Sequence, residues 1–205
     1  IVRRLVGSEM CIRDSSSGMT KAIAPVSEKF GVPMIEAEGA SRSLFTQGYK
    51  YLFAVLSTTD LYLPGSVHFA ADQKKSIGKS PSDTKVAMAF EGDPFSMDIR
   101  AGLVDLIKEY GMKIIIDDQL PADLSDMSTT LTKVKALKPD ILIVSGHSKG
   151  AATAARQIDE MKINVPIIAM THCDSAKVHD KFPNASTGFL CPTQWVPDIE
   201  KKDPM

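Results

Sequence analysis

The 205-residue chain is poor in cysteine, aromatic residues and net charge. It holds three cysteines, one tryptophan, 6% Phe, Trp and Tyr together, and a formal charge of −1. Three cysteines are too few for a disulfide scaffold, and they do not sit at zinc-site spacing. A chain this close to neutral, without clusters of Lys and Arg, lacks the basic surface that nucleic acid or an anionic membrane requires. No uninterrupted apolar run approaches the ~18–20 residues of a membrane span. No P-loop and no dinucleotide glycine pattern is present. What remains is 43% hydrophobic and 24% charged residues, the composition of a globular chain of one large domain or two small ones.

The first fifteen residues, IVRRLVGSEMCIRDS, fit poorly with the rest of the chain. A basic start hints at a signal peptide, yet no apolar core of ~7–15 residues and no small-residue cleavage site comes after it. Leu5–Asp14 back-translate into one contiguous string, CTCGTGGGCTCGGAGATGTGTATAAGAGAC, which looks like a transposase adapter from sequencing-library preparation. Residues 1–15 are therefore read as an adapter scar, and Cys11 goes with them. On this reading the natural chain is entered mid-gene near Ser16 and left at Lys-Lys-Asp-Pro-Met without a closing element. The expectation is a piece of a longer protein, with any export signal missing.

Short apolar runs recur at Val86–Phe90, Lys113–Ile116, Ile141–Val144 and Ile167–Met170. Their starts lie roughly 26–28 residues apart, the length of one strand plus one crossover helix. The runs are continuous rather than alternating, as parallel strands covered on both faces require. Between them, Ile99, Leu103, Leu106, Ile107 and Tyr110 form one apolar stripe of helical period, and Met127, Leu131 and Val134 form another. Ala151, Ala154, Ala155 and Ile158 repeat the pattern. Four such units predict an α/β fold with a doubly wound parallel sheet. Upstream, Thr20 is the expected cap of a helix burying Ile23, Val26 and Phe30, ended by Gly31. A strand over Val32–Ala37, an extended stretch over Tyr51–Ser57 and a helix around Leu61–Lys75 come next, then a polar loop over Ser76–Asp83.

Gly146-His147-Ser148-Lys149-Gly150 matches G-x-S-x-G between a strand and a helix, the setting of a hydrolase nucleophile elbow with Ser148 as nucleophile. Against it, the downstream histidines, His172 and His179, come too soon for that fold, and no upstream segment offers oxyanion donors. A glycine-rich turn that lets a helix start tightly is generic to α/β proteins. Asp117-Asp118 resembles an acidic metal pair but reads better as a solvated turn at a strand end. His172, Cys173 and Asp174 lack a fourth metal ligand at useful spacing. Cys173 and Cys191 stay open as a pair that only an oxidising compartment would join.

The order of segments carries more. SSSGMTKAIAPVSEKFGVPMI, EGASRSLF and YKYLFAVLST, followed by VAMAFEGDPFSMDIRAGL, LPADLSDMSTTLTKVKALKPDILIVSGH and ARQIDEMKINVPIIA, resemble in sequence the periplasmic binding proteins of the branched-chain amino acid type. The resemblance covers residues 16–195. It implies two Rossmann-like lobes with parallel sheets, truncated at both ends: residues 16–59 from a first lobe, 60–190 as the second, and 191–205 crossing back. It implies a solute-binding protein of an ABC importer, not an enzyme, working outside the cytoplasm with permease subunits as partners and with no cofactor or metal. A small ligand, an amino acid, carboxylate or amide, would be caught by hinge closure. The implied ligand contacts are Ser17, Gly39, Ala40 and Ser41 on one lobe, and Phe95, His147, Thr171 and Trp195 toward the other. The sequence departs from the family at Thr171, where a carboxylate commonly pairs with the ligand ammonium. Asp174 is the substitute if the register slips. The same fold would also suit a receptor's sensor domain.

Overall fold

The structure, a computed structural model, describes residues 16–36, 38–72 and 78–193. The scar assigned to residues 1–15 and the ligand contact assigned to Trp195 lie outside these residues. The chain builds two parallel sheets. The smaller pairs β1 (Met34–Glu36) with β2 (Leu52–Ala54), Ile35 facing Phe53 in register. The larger contains β3 (Lys85–Glu91), β4 (Lys113–Leu120), β5 (Ile141–Ser145) and β6 (Ile167–Met170), in the order β4-β3-β5-β6.

The continuous apolar runs have the cause the sequence suggests. Central strand β3 is buried from Val86 through Glu91, and every residue of β5 is buried. Ala87, Ala89, Leu142 and Val144 face one core, and Val86, Met88, Phe90, Ile141 and Ile143 face the other. Helix α1 (Ser17–Phe30) packs beside the smaller sheet, followed by the short α2 (Arg42–Phe45). The second core is closed by α3 (Pro64–Asp72) and α4 (Pro94–Glu109), the latter through Ile99, Leu103 and Ile107, all fully buried. The first core is closed by α5 (Ser128–Leu137) and α6 (Ser148–Glu160), with Leu131, Val134, Ala151, Ala154, Ala155 and Ile158 inward. The short helices α7 (Ala176–His179) and α8 (Pro183–Ser186) lie against α6.

Two local expectations are corrected. Helix α1 is capped by Ser16, not Thr20, and Val26 and Phe30 are 53% and 69% exposed, while Ser17, Thr20 and Ala24 face inward. The small polar face lets the helix lie close enough for the Thr20 hydroxyl to donate to buried Glu36 at 2.8 Å. Asp117 and Asp118 are not a turn. Strand β4 runs through both, and each is paired to a flanking helix: Asp117 to Arg100 of α4, Asp118 to Lys133 at 2.9 Å and Thr130 at 2.7 Å on α5. At one edge of the sheet, β4 uses these charges where a central strand would carry apolar residues.

Cys173, just past β6, forms a disulfide with Cys191, their Cα atoms 5.5 Å apart. Leu190 beside it makes a parallel bridge to Ala169, so the bond pins the returning chain to the edge of β6. The loop it closes spans 18 residues. Chain-entropy arguments assign such a loop about 3 kcal/mol. Reduction, or Cys191→Ser, is expected to lower the unfolding free energy in urea by about that amount. Two thiols titrating freely in the native protein would contradict the pairing.

Candidate functional site

In a sheet ordered β4-β3-β5-β6, the chain leaves β3 for α4 on one face and β5 for α6 on the other. The two turns diverge at the carboxyl ends of the strands, and such a switch point is where open α/β sheets place ligands. Here it gathers the chemistry of the molecule. Glu91 ends β3, Asp93 caps α4, Phe95 opens α4, and Gly146-His147 joins β5 to α6.

The Glu91 carboxyl is buried, 1% exposed, and accepts the His147 backbone N–H at 3.1 Å. A Cβ at Gly146 would lie 2.5 Å from its Oε1, and one at Gly150 2.2 Å. Both glycines of G-x-S-x-G therefore make room for this carboxyl beneath the first turn of α6. Burial pushes the Glu91 pKa up to about 7, against the pull of the His147 N–H and imidazole. Asp93 differs. Burial works against its charge, but hydrogen bonds from His147 and Ser96 outweigh it, and its pKa lies below the usual carboxylate value. Its Oδ1 accepts Phe95 N–H at 2.8 Å and stands 3.5 Å from His147 Nε2. That hydrogen bond to Asp93, stronger than the effect of burial, raises the His147 pKa.

Rings complete the crevice. Phe95 stacks on His147 with centroids 5.3 Å apart, Tyr62 meets Phe95 edge-on at 5.6 Å, and His172 lies 5.7 Å from Phe95. Thr171 is a positioning residue. Its hydroxyl donates to Gly146 C=O at 2.7 Å and accepts Gly146 N–H at 2.9 Å, so it holds the turn that carries His147. Of these rings Tyr62 and His172, not Phe95 and His147, also line a cavity of about 340 Å³, together with Ser57, Leu61, Thr171, Asp174, Pro192 and Thr193.

Ser17, Gly39, Ala40 and Ser41 form a second group near α1 and α2. Ser17 Oγ accepts Ser41 N–H at 3.0 Å, and Glu36 accepts Gly39 N–H at 2.6 Å. Gly39 is demanded by close approach, since a Cβ there would lie 2.0 Å from Thr20 Oγ1. Ala40 C=O accepts Thr59 N–H at 2.9 Å. The Ser41 hydroxyl donates to Asp98 of α4, which also accepts Ser43 N–H at 3.0 Å. Asp98 thus links this group to the helix that carries Phe95. Of the eight sequence-derived contacts, Phe95 and His147 touch, and Thr171 supports them and lines the cavity. The Ser17–Ser41 group is linked to them through α4, and Trp195 lies outside the described residues.

Sequence reasoning missed Glu91, Asp93, Tyr62, Glu36 and Asp98. The signal for Glu91 was an acid closing an otherwise apolar central strand. Glu91, Asp93 and His147 bring one ligand atom each within 4.8 Å of one another, the geometry of a cation cluster, but each is already engaged by the others or by backbone N–H groups. Cys173 is in its disulfide and so cannot serve His172 and Asp174 as a metal thiolate. As for Ser148, none of the hydrogen bonds among the described residues joins it to either nearby histidine: His147 Nε2 stands 3.5 Å from Asp93 and His172 Nδ1 2.9 Å from Gly146 C=O.

Folding raises the Glu91 pKa from 4.5 to about 7, so its contribution is fully present below 4.5 and is lost as pH rises through 7. His147, raised above 6.5, acts in the same direction. His172, lowered mainly by burial, opposes them: its contribution is present above 6.5 and lost as pH falls through its depressed pKa. Glu91→Gln is therefore expected to stabilise the protein at pH 8, by on the order of 3 kcal/mol, and to change little at pH 4. Thermal melts across that range check this, and a destabilised variant at pH 8 would contradict it.

Residues 2–204 match the family model described as periplasmic binding protein. The chain is 22% identical over 148 residues to Leu/Ile/Val-binding protein homolog 7 of Brucella suis, a match covering 71% of this chain and 37% of that one. A leucine-binding protein of Thermotoga maritima superposes with a TM-score of 0.78 at 20% identity, over 93% of this chain and 52% of that one. A solute-binding protein of an ABC transporter from Rhodopseudomonas palustris, solved with 3,4-dihydroxybenzoic acid, superposes at 0.64 and 20%, over 77% of this chain and 41% of that one. The chain thus spans from about a third to about half the length of these relatives. With its parallel sheets and switch-point crevice, it belongs to the periplasmic binding protein family, whose members are solute-binding proteins rather than enzymes.

Proposed function

We propose that the protein carrying this chain is the extracytoplasmic receptor of an ABC importer, capturing a small carboxylate, amino acid or amide between two lobes and presenting the closed state to permease subunits. The observation that carries this is the convergence of Tyr62, Phe95, His147 and His172 at the switch point, beside a cavity lined by segments far apart in sequence. Rings give apolar contact area at small entropic cost, and the few polar groups fix orientation. In this reading residues 16–59 belong to one lobe, 60–190 to the other, and 191–205 cross back.

The ligand bridges Ser17, Gly39, Ala40 and Ser41 on the first lobe to Phe95, His147 and Thr171 on the second, with Trp195 of the returning crossover closing the pocket. Ser41 already binds one carboxylate, that of Asp98, and a ligand carboxylate would take that place. Closure then results from differential affinity, because only the closed form touches the ligand from both sides. The relatives bound the search: one is named a leucine-binding protein, one a homolog of a Leu/Ile/Val-binding protein, and one was solved with 3,4-dihydroxybenzoic acid. Isothermal titration of the full-length protein with L-leucine and 3,4-dihydroxybenzoate tests the reading. Ser41→Ala is expected to weaken the bound carboxylate by about 1–3 kcal/mol. Unchanged affinity in the variant would remove Ser41 from the site, and the absence of binding by both compounds would count against the ligand class.

A further inference from the structure

The serine group that would hold a ligand carboxylate already holds one from within the chain. Ser41 is fully buried, and its backbone N–H is fixed by Ser17 Oγ at 3.0 Å. Its hydroxyl donates to the Asp98 carboxylate of α4, since an ionised carboxylate only accepts. The Ser43 hydroxyl lies 2.8 Å from Ser41 Oγ and, with the Ser41 proton spent on Asp98, is the donor of that bond. Ser43 N–H adds a direct bond to Asp98 at 3.0 Å. The donors of this segment thus run toward a single acid, 57 residues downstream of Ser41.

In the two-lobe reading, Ser41 and Ser43 belong to the first lobe and Asp98 to the second, so these bonds cross the crevice. A second polar contact lies beside them. Arg42 donates to Asp60 at 2.7 Å, and the turn Thr59–Leu61 packs so closely on α4 that a Cβ at Gly102 would lie 3.1 Å from Asp60 C=O. The seam is polar and open. A groove of about 390 Å³ lies along it, and the described residues that line it carry no apolar side chain larger than alanine. Parting α2 from α4 at this groove therefore breaks hydrogen bonds that water can replace and exposes little apolar surface.

We propose that Asp98 is a built-in competitor of the ligand: its carboxylate occupies the Ser41 hydroxyl and latches α2 to α4, holding a fraction of the ligand-free molecules with the lobes together and the serine group filled. The proposal rests on the ligand-binding reading and adds an autoinhibitory contact to it. A ligand carboxylate binds only where Asp98 has let go, so the apparent affinity is the intrinsic one reduced by the unlatched fraction. Asp98 sets how tightly the protein binds without touching the ligand.

Scattering and binding kinetics of the full-length protein, wild type and Asp98→Ala, test this. Without ligand, Asp98→Ala is expected to have a larger radius of gyration than wild type; equal values would overturn the latch. With whichever of L-leucine and 3,4-dihydroxybenzoate binds wild type, the variant is expected to bind at least threefold more tightly. The gain should lie in the association rate, with the dissociation rate within twofold of wild type. A residue that only capped α2 would act in the bound state too, so equal or weaker binding by the variant would overturn the proposal. Asp105→Asn removes a charge from the same groove but no partner of Ser41. Equal tightening by that variant would reduce the effect to charge and overturn the latch. Should Asp98→Ala fail to fold, Asp98→Asn keeps the side-chain shape and loses the charge that strengthens its bonds, and is expected to bind at least twofold more tightly; unchanged affinity would again overturn the proposal. The scattering comparison needs no ligand, so it decides the latch even where both compounds fail to bind, a failure that counts against the proposed ligand class instead.

Discussion

Everything at the switch point is arranged around one buried acid. Glu91 ends the central strand of the larger sheet with its carboxyl packed under the first turn of α6, where the His147 N–H and the positive end of the helix meet it. A carboxyl in that position costs free energy unless it is bonded or protonated. The structure does both in part, and a pKa of about 7 expresses the balance. The consequences spread outward. Gly146 and Gly150 have to lack side chains, His147 is fixed where its ring can reach Asp93 and stack on Phe95, and Thr171 and His172 both fasten to the carbonyl of Gly146.

This accounts for the motif that most resembled an enzyme. Two glycines bracketing a serine after a strand suit a nucleophile elbow, but here the glycines answer to Glu91, which lies far upstream in sequence. A pattern confined to five residues could not reveal that. The α/β architecture, by contrast, was legible, because strands buried on both faces must be continuously apolar and the helices between them must carry a stripe. Val86–Phe90 and Ile141–Val144 read correctly for that reason. Helix α1 misled because its inward face is small and polar, held by Thr20 to Glu36, so hydrophobic periodicity pointed to the wrong side. Asp117 and Asp118 misled because their partners, Arg100 and Lys133, are on helices that only the fold brings near.

The candidate site was legible in the same uneven way. Phe95 and His147 were found through ordered resemblance and do touch, whereas Tyr62 and Asp93, which shape their surroundings, show up only in three dimensions, and Glu91 left only the signal of an acid closing an apolar strand. Asp98 adds a feature of its own. By accepting from Ser41 and from Ser43 N–H, it ties α2 to the helix that carries Phe95. The Ser17–Ser41 group and α4 therefore share hydrogen bonds to one carboxylate.

The central claim is that ligand draws two lobes together at this crevice. Small-angle X-ray scattering of the full-length protein, with and without a ligand identified by titration, tests it most directly. The account predicts a smaller radius of gyration at saturation, and a fall in the scattering-derived maximum dimension with it. A scattering profile unchanged by saturating ligand would contradict closure as the mechanism, whatever the affinity.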